Sequence, residues 1–259
     1  MPVPGRLTMG HYQLELSKMA TRRENHTNVS GIVKKHLPEA REYIIGYADL
    51  KDLLPAKYKQ YGYGTVVARR LDDKIIDSIE TGPNVGYYRL YREVNRELAD
   101  IATGIETELR SNGIKALGIA PTLTNADRGE AFDRTLSLDF SHKMAGTRAG
   151  LGWIGKSDLL ITREFGPRVR LVSVLFDAPV ECCQEPVVKS ECGSCDLCVQ
   201  SCPAKALSGA VWDIDTTREV IFDAFKCRGK CREFGEQRIG KGARLCGICV
   251  SVCPIGKCT

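Results

Sequence analysis

The sequence predicts a mixed α/β (α+β) domain over residues 1–180, followed by a bacterial-ferredoxin-like, cysteine-built module over residues 181–259. Three observations carry this. Before position 180 the apolar residues switch between the 3.6-residue spacing of helices and the runs of β-branched and aromatic residues typical of strands. All 12 cysteines fall between Cys182 and Cys258, which marks a boundary near residues 179–187. With 259 residues, 43% of them hydrophobic and 27% charged, the chain has a folded globular composition, not a disordered or collagenous one.

Helices are expected over 11–23 and 29–37, with Pro38 closing the second. Residues 42–48 and 62–68 read as strands. Leu71, Ile75, Ile76 and Ile79 then recur at helical spacing. Tyr91, Val94, Leu98, Ile101, Ala102, Ile105 and Leu109 mark one face of a long helix ending near Asn112 and Gly113. A strand over 114–120, a helix around 141–149 and a glycine-rich turn over 150–156 follow. Residues 158–162 and 168–176 read as two strands joined by a Phe165-Gly166-Pro167 turn.

No stretch reaches the roughly 18 apolar residues of a membrane span, and 169–180 is broken by Arg170, Ser173 and Asp177. No membrane partner is expected. Residues 1–12 do not look like an export signal, so the expected compartment is the cytoplasm, where thiols stay reduced and hold metal more often than disulfides. The net charge of +5 is spread along the chain, with 11 basic and 9 acidic residues after Glu181, and forms no stripe that would point to nucleic acid.

The strongest motif is Cys192-Gly-Ser-Cys195-Asp-Leu-Cys198-Val-Gln-Ser-Cys202-Pro203, the ferredoxin spacing C-x2-C-x2-C-x3-C-P. In two-cluster proteins the fourth cysteine of such a run ligates the neighbouring cube. Cys246-Gly-Ile-Cys249-Val-Ser-Val-Cys253-Pro254 repeats the last three cysteines, with Ala243 where the first would be. Cross-ligation gives one 4Fe-4S cluster on Cys192, Cys195, Cys198 and Cys253, and a second on Cys202, Cys246, Cys249 and an outsider, either Cys227 or Cys231. Cys182, Cys183 and Cys258 are spare. Structural zinc favours two separated cysteine pairs and explains a proline-terminated run less well.

Residues 150–157, Gly-Leu-Gly-Trp-Ile-Gly-Lys-Ser, match the phosphate-cradling pattern G-x4-G-K-S. That loop needs a strand before it and a helix after it. The predicted order here is the reverse, so nucleotide binding is not expected.

The glycine–tryptophan turn, a strand pair and then the two cysteine runs, in this order over about residues 42–254, resemble the epoxyqueuosine reductases, cobalamin-dependent enzymes of queuosine tRNA modification related to reductive dehalogenases. The resemblance implies a nitroreductase-like domain holding base-off cobalamin, with Gly150, Gly152, Trp153, Ile154, Gly155 and Lys156 contributing to the corrinoid pocket. It also implies Cys227 as the missing ligand, because Asp223-Ala-Phe-Lys-Cys227 matches the family's Asp-Ala-x-x-Cys element. It departs at Leu136, where the family carries a proton-donating aspartate, and at His142, where the family tends to carry glutamate. The chain also ends at Thr259 without the helical-repeat extension that many members use around tRNA.

Such an assembly passes electrons one at a time from a low-potential donor (ferredoxin or flavodoxin) through two cubes to a cobalt, which reduces a small-molecule or tRNA substrate. The acid expected beside it is His142, or else Asp139. Tyr87, Tyr88 and Tyr91 face either a cofactor or the core. The other function class is an electron-transfer or activation protein for a corrinoid partner, with no substrate of its own.

Overall fold

A computed structural model describes residues 28–257, apart from residues 39, 125, 126 and 128. The helix expected over 11–23 and Cys258 lie outside the described residues. Helix α1, Val29–Lys35, starts where the Asn28 side chain accepts the Gly31 amide proton at 2.8 Å. Strands β1, Tyr43–Asp49, and β2, Tyr63–Arg70, form where β-branched and aromatic residues predict them. Helix α2, Asp73–Asp77, is capped by Asp72. Helix α3, Val85–Ser111, begins a turn and a half before the apolar pattern becomes regular, because Asn84 caps the Tyr87 amide at 2.9 Å. It stops at Asn112, beyond which Gly113 takes a φ of +79°.

Strand β3, Ala116–Ile119, and the short helix α4, Glu130–Thr135, lead to helix α5, His142–Arg148, whose first turn is capped by Ser141. The glycine-rich segment that follows is itself a strand, β4, Gly152–Ile154. It pairs antiparallel with β5, Leu160–Thr162, in a separate two-stranded sheet. Strand β6, Val169–Phe176, enters the main sheet instead, so β5 and β6 do not form the pair that the intervening turn suggested. Gly152 is required for the β4–β5 pairing, since a Cβ there would sit 1.9 Å from the Ile161 carbonyl oxygen.

The main sheet has the order β1-β2-β6-β3 and is antiparallel throughout, which makes the fold α+β. Alternation along β6 divides its side chains between two layers. Val172, Val174 and Phe176 pack with Val94, Leu98, Ile101 and Ile105 of α3, while Leu171 and Leu175 pack with Ala145 and Ala149 around α5. Among the described residues, no helix is long and apolar enough to cross a membrane.

The cysteine-rich part adds four helices: α6, Leu197–Gln200; α7, Arg218–Ile221; α8, Ala224–Arg238; and α9, Ile248–Ser251. It packs directly on the first part. Val250 joins the α3 core, with Leu245 and Cys249 against it. The fully buried Arg168 forks to Asp73 (3.0 Å) and Asp77 (2.6 Å) and also donates to the Ser251 carbonyl at 3.3 Å. Gly166 and Gly256 touch backbone to backbone, for a Cβ on Gly166 would lie 1.9 Å from the Ile255 oxygen.

Candidate metal centre and adjoining cavity

Cys198 lies on α6 and Cys249 on α9, two helices that pack against each other, and the remaining cysteines of each run flank them. The folding of each run follows from its proline-terminated short helix: four helical residues carry the third thiol inward, and the chain then turns away at Pro203 or Pro254. Cys192, Cys195, Cys198 and Cys253 surround a void of about 60 Å³, walled also by Lys156 and Ile161. The Cys198 thiol is pushed up to about 11, first by burial and then by the neighbouring sulfurs of Cys192, Cys253 and Cys195. Four thiols that repel one another's ionisation across a small void form a donor set for a multiply charged cationic core. Among the described residues, no three His, Cys, Asp or Glu side chains gather as ligands of one single metal ion.

A second group forms around Cys249. Burial raises its thiol above the usual range, and Cys246, Cys227, Cys198 and Cys202 add to the effect. Cys246 is raised by burial, with Cys227 and Cys202 as its sulfur neighbours. Cys202 accepts the Ala206 amide proton at 3.4 Å. Cys227 and Cys231 stand one turn apart on α8 with their sulfurs 3.9 Å apart. The bond between them acts oppositely on the two, lowering the Cys227 thiol and raising that of Cys231, which burial raises further. Cys182 and Cys183 are exposed.

The glycine–tryptophan turn packs against the first cysteine run. Trp153 donates its Nε1 proton to Cys192 Sγ at 3.4 Å, and Lys156 donates to the Gly193 carbonyl at 3.0 Å. A Cβ on Gly155 would meet Ile161 at 2.7 Å and Cys192 Sγ at 3.4 Å. Gly150 lies under Gln184 and Glu185, and Gly152 is used up in the β4–β5 pairing. Of the six residues, Ile154 alone lines the large cavity described next. The Gly155 amide bonds to the Leu159 carbonyl at 2.9 Å and is spent on the hairpin.

That cavity, of about 1000 Å³, opens between α5, the edge of the main sheet and the segment from Trp212 to Ala224. His142 lines it with both ring nitrogens engaged, Nε2 with the Ala120 carbonyl at 3.0 Å and Nδ1 with Ser173 Oγ at 2.8 Å. A carbonyl only accepts, so Nε2 carries the proton and Nδ1 takes the serine's. Burial lowers the ring to about 4, and the Arg170 charge pushes the same way, so the neutral form of His142 is favoured at neutral pH. Asp139 is 62% exposed, pairs with Lys57 at 3.1 Å and is not part of the cavity lining. Leu136, at a φ of +52°, does line it.

Tyr87 is buried beneath Gly247, and Tyr91 bonds Thr122 at 2.8 Å and lies under Arg170; neither they nor Tyr88 line the cavity. The pair that sequence reasoning missed is Lys143 and Asp158, both in the lining. Lys143 Nζ reaches the Asp158 carboxylate at 2.7 Å and its carbonyl at 2.6 Å, with Asp158 at a φ of +57°. A non-glycine residue held in that region is a mark of a constrained site. No spacing signal joins positions 143 and 158.

Residues 191–256 match the family described as a 4Fe-4S double cluster binding domain. The epoxyqueuosine reductase of Bacillus anthracis is 33% identical over 131 residues, covering 51% of this chain and 31% of that protein. Among solved structures, a reductive dehalogenase studied for B12-dependent dehalogenation aligns with a TM-score of 0.55 at 17% identity, over 83% of this chain and 30% of its own. An epoxyqueuosine reductase from Bacillus subtilis aligns with a TM-score of 0.50 at 17% identity, over 95% of this chain and 66% of its own. The matched stretch of the Bacillus anthracis protein is thus about a third of its length. The chain thus carries a segment that matches a 4Fe-4S double cluster binding domain, is similar in sequence to epoxyqueuosine reductases over part of its length, and shares its fold with the aligned reductive dehalogenase and epoxyqueuosine reductase.

Proposed function

We propose that the protein is a reductase in which two 4Fe-4S clusters pass electrons to a corrinoid held in the 1000 Å³ cavity, where a small or nucleoside-like substrate is reduced. In this reading Cys192, Cys195, Cys198 and Cys253 hold one cluster, and Cys202, Cys227, Cys246 and Cys249 hold the other. The observation that carries it is the adjacency of cavity and thiols: Phe222 and Ala224 line the cavity, and Ala224 opens α8, the helix that carries Cys227 in its first turn.

The cavity fits the group. Its walls are mainly apolar, and both nitrogens of His142 are engaged within the protein, so a corrinoid would be held there chiefly by apolar contact. A bound corrinoid supplies a low-potential metal that delivers electrons to the substrate. The chain's own residues do the rest. Lys143 presents its ammonium to the cavity, Asp158 aims it through the 2.7 Å ion pair, and the neutral His142 walls the site. The name of the Bacillus anthracis relative points to epoxyqueuosine or a similar nucleoside as substrate.

The test is anaerobic purification with cobalamin added, followed by cobalt and iron analysis. One cobalt per chain, lost when Ile154→Trp fills the cavity wall while the iron stays, supports the reading. Full iron with no cobalt in the unaltered protein contradicts it and leaves an electron-transfer protein for a corrinoid partner.

A further inference from the structure

Lys156 is 7% exposed, and its ammonium bonds to the Gly193 carbonyl. Among the described residues it has no carboxylate partner. A buried, unpaired ammonium costs several kcal/mol. What faces it is the void bounded by Cys192, Cys195, Cys198 and Cys253. Trp153, 5% exposed, aims its one polar atom at the Cys192 sulfur from the same turn. Its ring is fixed on the other side by Arg163, 5.7 Å away, which grips Glu191, the residue before Cys192, through two hydrogen bonds of 2.7 and 2.8 Å.

We propose that the turn of residues 150–156 tunes the first cluster, the Trp153 N–H stabilising the Cys192 thiolate and the Lys156 ammonium supplying the counter-charge to the cluster as a whole. This rests on the cluster assignment made above. The electrostatic sign is definite. Reduction adds one negative charge to the cube, and a hydrogen bond to a ligand sulfur and a nearby cation both stabilise the more negative state. Both therefore raise the potential of this cluster relative to the second. Trp153 and Lys156 are positioning residues, reaching the iron through Cys192 and the shared void.

The experiment uses the anaerobically purified holoprotein, with iron and sulfide counted first. Only two tryptophans are present, Trp153 and Trp212, so labelling the indole nitrogens with ¹⁵N reports on few sites. In the reduced protein, pulsed EPR is expected to detect ¹⁵N coupling to one cluster, retained in Trp212→Phe and abolished in Trp153→Phe. In redox titrations, Trp153→Phe and Lys156→Met are each expected to lower the potential of that cluster, by about tenfold in its one-electron equilibrium or ~59 mV, and to leave the second unchanged. Absent ¹⁵N coupling in a fully loaded protein, equal shifts of both clusters, or an upward shift would overturn the proposal while leaving the two-cluster reading intact. A protein that binds no iron overturns both.

Discussion

Protonation of His142 gives a sharp test of how the cavity wall is built. The ring ordinarily titrates near 6.5, and in the fold it is lowered to about 4 because burial disfavours the imidazolium and the Arg170 charge repels it, which together outweigh the Ala120 carbonyl that favours the protonated ring. The folded pKa lies below the unfolded one, so between the two values the unfolded chain binds more protons. The stabilisation is complete above pH 6.5 and is lost as pH falls through 4. A gap of about 2.5 pH units at 1.36 kcal/mol each puts the full effect on the order of 3 kcal/mol. From pH 7.5 to 5.5, a range that spares acid-labile clusters, only the unfolded chain titrates and the loss is about 1.4 kcal/mol. Anaerobic urea unfolding of wild type and His142→Gln at both pH values measures it. The wild type is expected to lose this amount relative to the variant. Equal pH dependence in the two proteins would refute the half-buried, doubly bonded, neutral imidazole.

Three further outcomes follow from the packing. Cys227→Ser is expected to lose one cluster by iron count while Cys231→Ser keeps both; the reverse would move the ligand one turn along α8. Gly166→Ala places a Cβ 1.9 Å from the Ile255 oxygen, at a φ of +55°, so it should push the Cys253–Pro254 segment outward. It should cost roughly 1–3 kcal/mol in urea unfolding and selectively reduce the first cluster's iron. Arg168→Met removes the buried fork to Asp73 and Asp77 that also reaches α9 through the Ser251 carbonyl. About 3 kcal/mol is expected in the same assay, the low end for a broken buried pair because Asp77 is itself open to solvent.

What was legible in the sequence was local. The capped helices, the β-branched strands and the cysteine runs all declare themselves within a dozen residues, and the grouping of Cys253 with Cys192, Cys195 and Cys198 agrees with the rule that the fourth thiol of each run crosses over. The role of the glycine–tryptophan turn was not legible, because Trp153 and Cys192 are 39 positions apart and meet only after the β4–β5 hairpin has formed. Asp158 and Lys143 escaped for the same reason: their 15-residue separation spans a helix and a hairpin, and matches no helical or strand period. His142 lines the cavity, but its chemistry depends on Ser173 and the Ala120 carbonyl, which arrive from other elements. The expected pairing of the strands flanking residues 165–167 failed because β4 competes for β5 and β2 takes β6.

The central claim is that thiols from both runs hold two separate iron cubes. Mössbauer spectroscopy with iron and acid-labile sulfide analysis, on protein purified without oxygen, tests it most directly. The account predicts eight irons per chain, in two cubes of four. Zinc in place of iron, or thiols recovered as disulfides with no iron bound, would contradict it.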